Sequence, residues 1–149
     1  MTQGYHIEQL KDDPILIVSY KLPIPSAVLD MFNEITACTA EILDAHEGKM
    51  YRINDFSDFG ERRFFSQAIQ GLAEETKGIP GTSSDPRVIP VFVGISPDVE
   101  LIVKAVKQEQ YGGWDQLPLF ATLDEAVAAI RELIAKNRQE DGRASRSAA

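Results

Sequence analysis

The chain has 149 residues, 44% hydrophobic and 26% charged, the balance of one globular domain with a sizeable core. A single cysteine, Cys38, excludes an intramolecular disulfide framework and a cysteine-rich zinc site. The formal net charge of −8 opposes nonspecific association with nucleic acid or anionic lipid, and no apolar run approaches the roughly 18 residues of a membrane span.

The first residues, Met1 to His6, have neither a basic start nor an apolar h-region, so no signal peptide is expected and a cytoplasmic location is the simplest expectation. Tyr5 to Leu10 alternates apolar and polar positions as a half-buried strand does. Lys11-Asp12-Asp13-Pro14 signals a turn, and Ile15 to Tyr20 reads as a second strand, so the domain is predicted to open on an antiparallel hairpin. The prolines of Leu22-Pro23-Ile24-Pro25 make that segment a connector. A first helix is predicted from about Ser26 to His46, with Val28, Phe32, Ile35, Ile42 and Leu43 on one face and Thr39 as the polar member of the stripe. A third strand is predicted from Met50 to Phe56. After the turn Ser57-Asp58-Phe59-Gly60, a second helix is predicted to bury Phe64, Phe65, Ala68, Ile69 and Leu72.

Residues 76–87 contain two glycines, two prolines and four hydroxyl residues, a composition that predicts a mobile surface loop. Strand, cap and helix then follow twice. Val88 to Gly94 leads into Ser96-Pro97 and a helix to about Gln110 that buries Leu101, Ile102, Ala105 and Val106. Leu117-Pro118-Leu119-Phe120 leads into Thr122-Leu123-Asp124-Glu125 and a helix to about Lys136 that buries Ala126, Val127, Ile130, Leu133 and Ile134. The last residues, 137–149, have no apolar face and are predicted to be disordered; residues 136–149 carry four bases against two acids, which leaves −10 on residues 1–135. One α/β domain over residues 1–136 is therefore predicted, in the order β-β-α-β-α-β-α-β-α, with a mixed sheet that is antiparallel at its start and parallel afterwards.

In that order, and in three short stretches, the chain resembles the STAS superfamily (sulfate transporter and anti-sigma-factor antagonist), SpoIIAA-like branch. The stretches are Tyr51-Arg52-Ile53-Asn54-Asp55, Val91-Phe92-Val93-Gly94-Ile95-Ser96 and Phe120-Ala121-Thr122-Leu123-Asp124-Glu125-Ala126. The resemblance covers about residues 5–135, and it implies a noncatalytic domain that binds a small ligand or a protein partner, in bacterial regulation. It also implies a phosphoacceptor serine within Asp-x-Ser-Gly, for which the nearest match is Asp55-Phe56-Ser57-Asp58. Asp58 replaces the glycine and would repel a phosphate on Ser57.

The carboxyl ends of parallel strands are where α/β sheets usually bind ligands, which singles out Asp55, Ser57, Asp58, Gly94 and Ser96. Each also has a plain local explanation. Asp55 or Ser57 can cap the following turn, and Ser96 can cap the helix that Pro97 opens. Trp114, the only tryptophan, lies in Tyr111-Gly112-Gly113-Trp114-Asp115 and is either a pocket lid or a ring packed on the domain edge. Asp55 and Asp58 as catalytic or metal-binding carboxylates make a weaker alternative, because no histidine or third acid lies beside them. No cofactor and no metal is implied, nucleic acid is disfavoured as a partner, and a homodimer is left open.

Overall fold

A computed structural model of the chain describes residues 4–106 and 117–147. The order is β1 (Tyr5–Gln9), β2 (Ile15–Tyr20), α1 (Val28–Asp44), β3 (Met50–Asp55), a 3-10 turn (Ser57–Phe59), α2 (Phe65–Glu75), β4 (Val88–Val93), α3 (Pro97–Val106) and α4 (Leu123–Ser147). The four strands form one sheet in the order β1-β2-β3-β4. β1 and β2 are antiparallel, with Tyr5 opposite Tyr20, and the hairpin is as predicted. β2, β3 and β4 are parallel, with Ile15 beside Tyr51 and Asp55 beside Val93.

Every residue of β2 and β3 is buried, because helices cover both faces of the sheet. On one face Leu16, Val18, Tyr20, Met50 and Val88 pack against α1, α2 and α3. On the other, Ile15, Ile17, Tyr51, Ile53, Val91 and Val93 pack against Ala126, Ile130 and Ile134 of α4. The stripe of α1 is Val28, Met31, Phe32, Ile35, Thr39 and Leu43, which adds Met31 to the predicted set and leaves Ile42 half-buried. Among the described residues no helix is long and apolar enough to cross a membrane.

Four predictions are corrected. The fifth strand is reduced to a single parallel bridge, Phe120 beside Val93. Pro118 has no N–H to give to a ladder, and the turn into α4 begins just after Phe120, so one residue pairs. Phe65 and Ile69 of α2 and Leu101 of α3 are 59%, 50% and 47% exposed and are not core residues. The buried positions are Phe64 and Ala68 at α2, and Val99, Val103 and Val106 on α3. In helices whose apolar residues span more than one face, the periodicity fits two faces and packing selects one. The helix predicted to end near Lys136 runs to Ser147, into the stretch predicted to be disordered.

The fourth correction concerns residues 76–87. Thr82, Ser83 and Asp85 are 0%, 2% and 3% exposed, so residues 81–85 are folded into the protein while residues 77–80 stay at the surface. The segment is held by its own hydroxyl and carboxylate groups. Gly78 N–H donates to Ser84 Oγ (2.8 Å), Thr82 Oγ1 donates to Ile79 O (2.8 Å), and Gly81 N–H donates to Asp85 Oδ2 (3.0 Å).

Candidate functional site

The carboxyl edge of the parallel strands, where the sequence places a ligand, is occupied by the chain's own polar contacts. Asp55 is buried at the end of β3. Its Oδ2 accepts from Ser19 Oγ (3.2 Å), and its Oδ1 accepts from the N–H and Oγ of Ser57 (3.0 and 2.6 Å). This is a side-chain turn that starts the Ser57–Phe59 segment. Asp58 is exposed, and its Oδ2 accepts from Leu22 N–H (2.8 Å). The two acids thus serve different partners. A phosphate on Ser57 Oγ would stand against the Asp55 carboxylate that this hydroxyl now contacts.

Gly94 (φ +153°) gives its N–H to Phe120 O (2.9 Å), and a Cβ there would press within 3.3 Å of Phe56 and Val99. Ser96 is fully buried as the cap of α3. Its Oγ accepts from Asp98 N–H (3.2 Å) and donates to Arg62 O (2.7 Å). Asp98, 1% exposed, accepts from Arg63 Nε (3.0 Å) and from Phe64 N–H, fastening the start of α2 to the start of α3. Trp114 lies outside the described residues.

A different place has the form of a ligand site. Between the sheet and α1–α3 lies a cavity of about 50 Å³. That is several times the roughly 10–15 Å³ one water needs. Its wall is mainly aromatic. Tyr20 stacks on Phe56 (centroids 4.6 Å, planes 5° apart), Phe56 on Phe64 (5.5 Å), and Phe59 meets Phe64 edge-on (4.6 Å, 67°). Phe32, Phe92, Ile102 and Val106 extend the apolar lining, while Ala68 keeps the α2 side open by its small size and Gly71 lets the Phe32 ring approach closely.

Part of this wall is polar, with Asn54, Glu75 and Ser83 in the lining and Arg52 behind them. Arg52, mid-strand in β3 and 0% exposed, makes a forked pair with Glu75 at the end of α2: Nη1 to Oε2 at 3.0 Å and Nη2 to Oε1 at 2.8 Å. Nη1 also donates to Gly81 O (3.1 Å), and Ser83 N–H donates to Glu75 Oε2. Residues 81–83 thereby close over the ion pair. Burial pushes the Arg52 pKa down, but the adjacent Glu75 carboxylate outweighs it and the net shift is upward. Tyr20 Oη lies 3.5 Å from Arg52 Nη2, and burial raises its pKa well above the usual phenol value, with Arg52 only partly opposing.

Asn54 follows Arg52 on the same strand face and lines the cavity. Its Nδ2 lies 3.5 Å from both Ser83 Oγ and Val91 O. The Val91 carbonyl can only accept, which favours this orientation of the amide, and in it Oδ1 has no partner among the described residues. The sequence reading assigns Arg52 and Asn54 no part in a site; the available signal is two polar side chains, two residues apart, on one face of a central strand.

Among the described residues no group of three or more His, Cys, Asp or Glu is placed to hold a metal ion. Comparison of the chain with protein-family models, curated proteins and solved structures finds no match.

Proposed function

We propose that this chain is a noncatalytic, STAS-like binding domain that takes a small ligand into the aromatic cavity between the sheet and α1–α3. The observation that carries this reading is the cavity itself: an apolar pocket with a few convergent polar groups, built on a rigid sheet face. The opening hairpin and the parallel strands after it support the STAS-like frame. The noncatalytic part draws support from the strand-end acids and serines, whose recorded contacts are those of caps and turns.

Native mass spectrometry of the purified full chain tests the reading. The expected result is a small-molecule adduct, either co-purified or formed on adding small apolar compounds, that is released on denaturation. A bare protein mass under both conditions would overturn it.

A further inference from the structure

The cavity wall also indicates what kind of molecule would occupy it, an inference that rests on the binding function proposed above. Asn54 is 2% exposed, yet its Oδ1 has no hydrogen-bond partner among the described residues. A buried carbonyl oxygen without a partner is a standing cost, which a leucine of similar shape would avoid. The orientation of the amide leaves an acceptor, so the missing partner is a donor.

Charge narrows the choice. Glu75 is the acidic group on the wall, and both its oxygens are taken: Oε1 by Arg52 Nη2, and Oε2 by Arg52 Nη1 and Ser83 N–H. The ion pair is neutral as a unit, so a charged guest would enter an apolar space with no free counter-charge among the lining residues. Size narrows it further. The cavity, about 50 Å³, is a third of the roughly 150 Å³ of an engineered apolar cavity that holds benzene. A fragment of a few heavy atoms fits, either as a whole molecule or as the inserted end of a larger one.

We infer that the cavity selects a small neutral group with an apolar body and one hydroxyl or amide N–H, which donates its hydrogen bond to Asn54 Oδ1. Short alcohols and primary amides have this chemistry, and so do the hydroxyl- or amide-bearing ends of longer apolar molecules.

The test uses the full chain and pairs of near-identical probes, followed by two-dimensional NMR titration of backbone amides and of the Asn54 side-chain NH2. 1-Butanol is compared with its isomer methyl propyl ether, which lacks the donor, and with butyrate and butylammonium, which carry charge. 1-Propanol against its isomer ethyl methyl ether repeats the comparison at smaller size. The alcohol is expected to bind at least about tenfold more tightly than the ether, with both ions weaker still. In Asn54→Leu the alcohol-to-ether preference should vanish. The wild-type comparison needs no variant, so a failure of Asn54→Leu to fold leaves the test intact. Equal binding of alcohol and ether would overturn the donor assignment while leaving the cavity a binding site. Preferential binding of either ion would overturn neutrality. Binding of none of the probes, at either size, would overturn this inference together with the function on which it rests.

Discussion

Gly81 sits where one added carbon would strike the backbone of another element. Its φ is +91°, and a Cβ built there would overlap Thr36 O and lie 3.0 Å from Ala40 N, both on α1. Helix backbone cannot step aside, so Gly81→Ala would have to lift the segment, freeing Gly81 O from Arg52 and Gly81 N–H from Asp85. Together with the left-handed backbone, this should cost about 3 kcal/mol or more in urea unfolding. A loss under about 1 kcal/mol would mean that the segment is not pinned to α1. Asp85 makes the same segment sensitive to acid. Burial pushes its pKa up, but hydrogen bonds from the Arg87 side chain and from the Arg87 and Gly81 N–H groups prevail and bring it to about 2. The folded value lies below the unfolded one, so the stabilisation is complete above about pH 4 and is lost as pH falls through about 2. At pH 7 it should amount to roughly 2 kcal/mol. Asp85→Asn is therefore expected to be the less stable protein at neutral pH, with the gap closing between pH 4 and 2. A gap of constant size across that range would show that ionisation is not its source.

Between elements, the Arg52–Glu75 pair ties the centre of the sheet to the last turn of α2. Removing one partner leaves a buried charge unpaired, and Glu75→Gln or Arg52→Met should each cost about 3–5 kcal/mol. The double variant should cost clearly less than the two single losses together, because neither charge is then stranded. Simple additivity in a double-mutant cycle would show that the pair is not energetically coupled. The position of this pair explains how far the sequence could be read. Hairpin, helices and caps were legible because they depend on local patterns: alternation in Tyr5–Gln9, the α1 stripe, and Thr122 Oγ1 accepting from Glu125 N–H (3.2 Å). The cavity was not legible, because Arg52 and Asn54 find their partners on α2 and in residues 81–83, well over twenty positions away. The 76–87 segment misled for a related reason. Its glycines, prolines and hydroxyl residues are typical of mobile loops, yet residues 81–85 are packed in by hydrogen bonds that need few apolar side chains. Composition reports what can be buried by the hydrophobic effect, and this segment is buried largely by polar satisfaction.

At the scale of the whole molecule the two faces of the sheet differ. The α4 face packs one helix through Ala126, Ile130 and Ile134, whereas the opposite face spreads three helices over a wider area and leaves the cavity among them. Ala68 on α2 lines the cavity, whereas a Cβ at Gly71 would come within 2.9 Å of the Phe32 ring, so Ala68 is the position at which α2 could be enlarged without disturbing the sheet. Ala68→Val would place two more methyl groups in the space. At about 0.8 kcal/mol per buried group, less roughly 0.6 kcal/mol of helix propensity, the variant should gain about 1 kcal/mol. For a domain of this size that raises Tm by about 2–4 °C. A stabilising substitution at a cavity does not by itself distinguish a packing defect from a binding site, and ligand linkage does. A small neutral ligand at a hundred times its Kd should stabilise the wild-type chain by about 2.7 kcal/mol. It should leave Ala68→Val nearly unmoved, because the added methyl groups occupy the same volume. The pair of melting curves, with and without 1-butanol, decides the matter. If the variant is less stable than wild type but shifts as far with the alcohol, the alcohol binds elsewhere and the space beside Ala68 is not the site.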